Sequence, residues 1–63
     1  MTPLDELPKI GAPATRALAS VGITTLGQVA DRSRVELLAL HGMGPKAIRL
    51  LEEGLDEHGL SLR

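Results

Sequence analysis

One short pattern occurs twice in this chain of 63 residues, and it limits the folds that the chain can adopt. The clearer copy, LHGMGPKAIRLL at residues 40–51, has two glycines around one apolar residue, followed by apolar residues at helical spacing. A weaker copy, LPKIGAPATRAL, spans residues 7–18. The positions that recur are Leu7 and Leu40, Gly11 and Gly44, Ala14 and Ala47, Arg16 and Arg49, and Leu18 and Leu51. Such a repeat predicts a duplicated helical hairpin.

Capping, proline and glycine signals divide the chain into short helices. Thr25 with Gln28, and Ser33 with Glu36, have the spacing of capping boxes. The expected helices cover about residues 3–7, 13–21, 26–31, 34–40 and 45–58. No segment alternates between apolar and polar residues for long enough to form a strand. The prediction is all-α: a compact four-to-five-helix domain at residues 1–63, with one hairpin unit at about 2–30 and a second at about 33–62.

Apolar residues at helical spacing predict the buried side of each longer helix. The expected buried residues are Ala14, Ala17, Leu18 and Val21 in one helix, and Ala47, Ile48, Leu51 and Leu55 in the last. Gly22 and Gly59 are suited to end these helices, and Leu60 with Leu62 can fold back as an apolar tail. Gly54 lies inside the last helix, where glycine costs about 1 kcal/mol relative to alanine. It marks either a close helix crossing or a plain exposed position.

Composition excludes several classes of protein. Cysteine is absent, so there are no disulfides or thiolate zinc ligands. Aromatic residues are also absent, which argues against binding single strands by base stacking. No apolar run is long enough for a membrane span, and the first residues lack the pattern of a signal peptide. We expect a soluble, cytoplasmic protein with no membrane contact.

Residues suited to catalysis or metal binding are few. His41 and His58 are the only imidazoles, and no cysteine or clustered acid gives either one a zinc-like ligand set, so each is expected to be a helix-end or surface residue. The serines lack a motif that would activate a nucleophile. The acidic residues of the last helix are typical of a solvated helix face. We therefore expect no enzymatic activity, no metal, no cofactor and no small-molecule substrate.

Charge is distributed unevenly along the chain. The formal net charge is −1, which by itself does not favour nucleic-acid binding. Residues 9–51, however, hold six basic residues against two acidic ones, a local charge of +4, and the remainder carries −5. Arg32 and Arg34 can extend a basic face or be ordinary surface charges. The acidic end can repel DNA from one side of the domain or dock a basic partner.

The second glycine pattern has the properties of a phosphate site. Gly42 and Gly44 permit a tight turn, and Met43 between them is expected to point inward as an anchor. A helix that begins at Pro45 offers unpaired N–H groups to an anion, and Lys46 and Arg49 add positive charge. We expect Lys46 and Arg49, with the amides of Gly42 and Gly44, to form the main phosphate contact. Lys9, Gly11 and Arg16 form the corresponding weaker site in the first copy. The alternative is an ordinary interhelical turn with solvated basic residues.

These residues resemble the helix-hairpin-helix motif, in which a glycine-containing loop between two helices holds DNA backbone phosphate. The resemblance is strong for residues 41–51 and weaker for residues 8–18, where Lys9 replaces the first glycine and Pro13 removes an amide. From Ile10 to Leu62 the chain is also similar to the C-terminal domain of the bacterial RNA polymerase alpha subunit. That resemblance implies a helical domain that binds DNA in the minor groove, with Gly44 and Lys46 at its phosphate-contacting hairpin.

Departures from that family shape the predicted function. Pro13 stands where the family has its principal minor-groove arginine, Arg16 where it has an asparagine, and Ala47 where it has a backbone-contacting serine. We therefore expect a free-standing relative that binds double-stranded DNA through backbone phosphates, largely independently of sequence, in transcription or repair. The alternative is a protein-protein interaction module of that machinery that keeps the fold without significant DNA binding.

Overall fold

A computed structural model describes residues 2–63, and in that range it contains four α-helices and no strand. The helices are α1 (Ala12–Ala19), α2 (Leu26–Val29), α3 (Arg34–Leu38) and α4 (Pro45–Asp56). The predicted all-α class is confirmed. Each helix begins within one residue of its expected start and ends two residues early. The helices end early because the residues that follow form tighter turns, in which an N–H bonds to the carbonyl three positions earlier. An example is the bond from His58 N–H to Leu55 O at 2.9 Å.

The prediction of a helix at residues 3–7 is wrong. This segment makes one turn, closed by the Glu6 N–H and the Pro3 carbonyl at 3.2 Å. The carbonyls of Leu4 and Glu6 instead accept hydrogen bonds from the first two amides of α2, Gly27 at 2.9 Å and Leu26 at 2.8 Å. Those two amides have no partner inside their own helix. The N-terminal segment therefore satisfies the start of α2 rather than forming a helix itself.

Both predicted capping boxes are confirmed. Thr25 Oγ1 accepts from the Gln28 amide at 3.3 Å, and Gln28 Oε1 accepts from the Thr25 amide at 3.1 Å. Ser33 and Glu36 make the same exchange at 3.0 and 3.2 Å. Helices of four and five residues are too short to persist alone, so α2 and α3 depend on these caps and on packing.

Glycines in the left-handed conformation end α1 and α4, as predicted. Gly22 has φ 80° and Gly59 has φ 71°. After the first of these, the Ile23 N–H reaches back to the Leu18 carbonyl at 2.9 Å, which turns the Ile23 side chain into the core. The expected burial of Val21 is wrong, because α1 has already ended and Val21 is 37% exposed in the turn.

The core lies where α2 and α3 pack against α4. The largest fully buried side chains are Leu18, Ile23, Leu26, Val29, Leu37, Ile48, Leu51 and Leu55. The predicted buried side of α4 is confirmed. A Cβ atom on Gly54 would lie 3.1 Å from Leu26 Cδ2, so Gly54 marks a close crossing of α2 and α4. Leu62 packs against the core, whereas Leu60 is 39% exposed.

The two ends of the domain are joined by a hydrogen bond. His58 Nε2 lies 2.7 Å from the Thr2 carbonyl oxygen, so this nitrogen carries the proton and donates it. His58 thus has a structural contact between the end of α4 and the N-terminal segment. Among residues 2–63, no helix has the length and apolar character needed to cross a membrane.

Candidate nucleic-acid interface

The loop of the second hairpin is held against the first helix. Gly42 has φ 93°, and a Cβ atom there would lie 2.9 Å from the Pro13 carbonyl oxygen. Pro13 is in the first turn of α1. The fold therefore requires glycine at position 42 for two reasons, its left-handed backbone conformation and the close contact with Pro13.

Met43 supports the same loop from inside. Its side chain is 9% exposed and belongs to the core, as expected for an anchor. Its N–H donates to the Leu40 carbonyl at 3.1 Å. With both groups engaged, Met43 positions the loop and its amide is not available to a ligand.

The start of α4 has a different character. Gly44 has φ −125° and ψ 171°, an extended conformation open to any residue, and no atom lies within 4 Å of its Cβ position. The first backbone bond of the helix joins Ile48 N–H to Gly44 O at 3.1 Å. Within residues 2–63, the amides of Gly44, Lys46 and Ala47 make no hydrogen bond. Neither backbone conformation nor packing thus requires glycine at position 44, and its own amide and those of Lys46 and Ala47 are unpaired within residues 2–63.

The basic residues divide into two groups. Arg32 pairs with Glu36 at 3.7 Å, and Arg34 with Glu52 at 4.0 Å. Lys9, Arg16, Lys46 and Arg49 are exposed and make no ion pair with the described part of the chain. The four cations predicted for phosphate binding therefore all lack acidic partners within residues 2–63, as does Arg63, whereas the two ambiguous arginines are paired.

The first hairpin resembles the second only in part. Its positive φ, 96°, falls on Gly11, the residue just before α1, because Lys9 occupies the position equivalent to Gly42. Pro13 removes one amide from the first turn. The Thr15 hydroxyl donates to the Gly11 carbonyl at 2.9 Å. The helix start is present, but it offers fewer donors than that of α4.

A shallow cleft brings parts of the two hairpins together. Arg16 and Pro13 from α1 line it with His41 and Gly42 from the second loop. His41 is predicted only as a helix-end or surface residue, and the structure places it in the lining of this cleft. Its position directly before Gly42 is the sequence signal that could have indicated this location. Arg49 does not line this cleft, and it borders a separate groove that contains Glu52 and Glu53.

One helical hairpin, α3 and α4 joined by a short loop, lies against a second glycine-containing loop that opens into α1, and this arrangement is typical of small helix-hairpin-helix proteins. Comparison with known proteins agrees. The family described as SAM-like helix-hairpin-helix tandem matches residues 1–57, and the chain belongs to that family.

Curated relatives carry the same segment within longer chains. The chain is 40% identical over 60 residues to the DNA-directed RNA polymerase subunit alpha of Dehalococcoides mccartyi, covering 95% of this chain. It is 37% identical over 62 residues to the corresponding subunit of Cutibacterium acnes, covering 98%. It spans 18% of the length of each of these relatives. No solved structure gives a significant match.

Proposed function

We propose that this protein binds double-stranded DNA through backbone phosphates, without catalysis and largely independently of base sequence. The loop before α4 and the start of that helix make the main contact, through the amides of Gly42, Gly44, Lys46 and Ala47 and the side chains of Lys46 and Arg49. The start of α1, with Lys9, Gly11 and Arg16, makes the secondary contact.

The observation that carries this proposal is the unused start of α4. Its amides are unpaired within residues 2–63, its first flanking glycine is not required by the fold, and the exposed Lys46 lies beside them. A helix of 12 residues adds the partial positive charge of its dipole at this end. These are the properties of a site for a phosphate, with space for close approach to the backbone.

The packing of the hairpins supports two contacts on one duplex. Gly42 touches Pro13 near the start of α1, and Pro45 at the start of α4 is only three positions after Gly42. Three residues span at most about 11 Å. Both helix starts are thus close enough to meet phosphates of the same DNA segment, with Arg16 and His41 in the cleft between them.

The relatives suggest the process. Both are named as alpha subunits of DNA-directed RNA polymerase, and the shared segment covers nearly all of this chain. On that basis we propose that the protein acts in transcription, in contact with duplex DNA and with protein components of the same machinery.

The test is a fluorescence anisotropy titration of a labelled duplex at about 50 and about 200 mM salt. Lys46→Glu should weaken binding by at least about tenfold, because it places a negative charge at the phosphate site. Arg63→Glu is the matched control, since Arg63 is also exposed, changes the net charge equally, and lies outside the two helix starts. Circular dichroism checks that both variants remain folded. Equal affinity of the two variants would contradict the assignment of the interface.

A further inference from the structure

A second surface lies on the C-terminal half of α4, away from the hairpin loops. It is an open groove lined by Arg49, Glu52, Glu53, Asp56, Leu60, Ser61 and Leu62. Leu60 is 39% exposed, and Leu62 is half-buried against the core. The groove therefore has an apolar floor formed by the tail that follows Gly59, and an acidic border formed by one side of α4.

The acidic border is poorly compensated within the domain. Glu52 has Arg34 at 4.0 Å, but Glu53 and Asp56 make no ion pair with residues 2–63. Both acids lie in the last turns of α4, where the helix dipole disfavours negative charge and no basic residue is present. The only cation lining the groove is Arg49, at its end nearest the start of the helix. Three acids against one base give the groove a local charge of −2.

The negative charge and the apolar floor of the groove together indicate which kind of ligand can bind there. DNA is repelled by the acidic border, and an acidic or neutral segment leaves the carboxylates without partners. We propose that this groove docks a short basic amphipathic segment of a partner protein. One large apolar side chain of the segment covers Leu60 and Leu62, and lysines or arginines on either side pair with Glu53 and Asp56. Glu53 and Asp56 are three positions apart on one helix face, so two cations one turn apart reach both.

The probe is a synthetic peptide of leucine and lysine with the spacing of an amphipathic helix, titrated into the isotopically labelled protein and followed by amide NMR signals. We expect the signals of Glu53, Asp56, Leu60 and Leu62 to move. A matched peptide with serine in place of leucine should bind at least about fivefold more weakly, because it cannot cover the apolar floor. A matched peptide with glutamate in place of lysine should not bind, because it meets like charge.

Variants of the protein test the same groove from the other side. The double variant Glu53→Lys with Asp56→Lys should weaken peptide binding by at least about tenfold, and Leu60→Ser by about fivefold. The matched control reverses two exposed acids outside the groove, Asp5→Lys with Asp31→Lys, and should retain most of the affinity. Leu60→Ser preserves the backbone bond from residue 60 to the Leu55 carbonyl, so the helix end stays intact.

Three results would overturn the proposal. The first is equal binding of the leucine and serine peptides, which would reduce the contact to charge alone. The second is equal weakening by the groove variant and its control. The third is a dimer, detected by sedimentation equilibrium, that the groove variant dissociates, because the groove would then be an interface between copies. DNA titrations with the same variants are a separate readout, since the groove does not rest on DNA binding.

Discussion

The carbonyl oxygen of Pro13 lies 2.9 Å from the position that a Cβ atom on Gly42 would occupy. This close approach joins the loop of the second hairpin to the first turn of α1. It places Arg16 and His41 in one cleft and brings the starts of two helices near each other. The relation between the hairpins thus depends on a residue whose side chain is a single hydrogen atom.

Gly42→Ala should lower the free energy of unfolding by about 2–4 kcal/mol, from the left-handed backbone and from the displaced Pro13 contact. Gly22→Ala is the matched control, because Gly22 has φ 80° and no atom within 4 Å of its Cβ position. It should cost only about 1–2 kcal/mol. Urea unfolding of both variants measures the difference, and equal losses would show that the contact contributes nothing.

Gly44→Ala separates folding from binding. The backbone there is extended and the Cβ position is open, so the gain from a less flexible unfolded chain and the loss of glycine at the N-cap should largely offset each other, and the free energy of unfolding should change by less than about 1 kcal/mol. The added methyl group stands where a phosphate would approach the amides, so DNA affinity should fall about tenfold, the equivalent of one lost charge-assisted hydrogen bond. Anisotropy and urea unfolding give the two values. Wild-type DNA affinity in this variant would count against the α4 start as the phosphate site.

Salt dependence should report the number of phosphates engaged. Contacts with about two to four phosphates predict a slope of about −2 to −4 in log affinity against log salt. Lys46→Ala should reduce the magnitude of that slope by about 1. Arg49→Ala should change it less, because Arg49 shares its groove with Glu52 and Glu53. A salt-independent affinity would be incompatible with phosphate binding.

The crossing at Gly54 should show energetic coupling with Leu26. Gly54→Ala brings the usual helix-propensity gain of about 1 kcal/mol. In the wild-type background, crowding at 3.1 Å against the fully buried Leu26 should cancel or exceed that gain. In the Leu26→Val background the Cδ atoms are absent, so the gain should reappear. Urea unfolding measures the four free energies of this double-mutant cycle. Additive effects would show that the contact between Gly54 and Leu26 does not affect stability.

The hydrogen bond between His58 and the Thr2 carbonyl should stabilise the domain by about 1 kcal/mol. His58→Ala removes it, whereas His58→Gln retains an N–H donor and should recover part of the loss. His41→Ala is the control, because His41 is exposed and makes no side-chain hydrogen bond in the described chain. Thermal unfolding of the three variants measures the effect, which is refuted if alanine at both positions costs the same.

Predictions from local patterns agreed best with the structure. The Thr25 and Ser33 boxes and the stops at Gly22 and Gly59 all depend on groups within about six residues of each other, and all are present. The predicted phosphate residues remain predictions. What the structure adds to them is the absence of acidic partners within residues 2–63 and the inward position of Met43.

The two failures have different causes, one in contacts distant in sequence and one in a local turn. Residues 3–7 carry the signals of a helix start, yet the carbonyls of Leu4 and Glu6 bond to α2, about twenty residues further along. Helical spacing predicted that Val21 is buried, but α1 ends two residues before it. The turn that follows, with the Ile23 N–H bonded to the Leu18 carbonyl, buries Ile23 instead of Val21.

Hydrogen bonds and backbone preferences between near neighbours specify helices α1 to α4, their caps and the two glycine loops, which is why these features could be predicted from the amino-acid pattern. The difference between the two loop glycines comes from the packing of distant segments. Gly42 is fixed by its backbone conformation and by Pro13, whereas Gly44 meets no such requirement and borders the unpaired amides of α4. Close approach between distant segments is a property of packing, and no pattern within one segment specifies it.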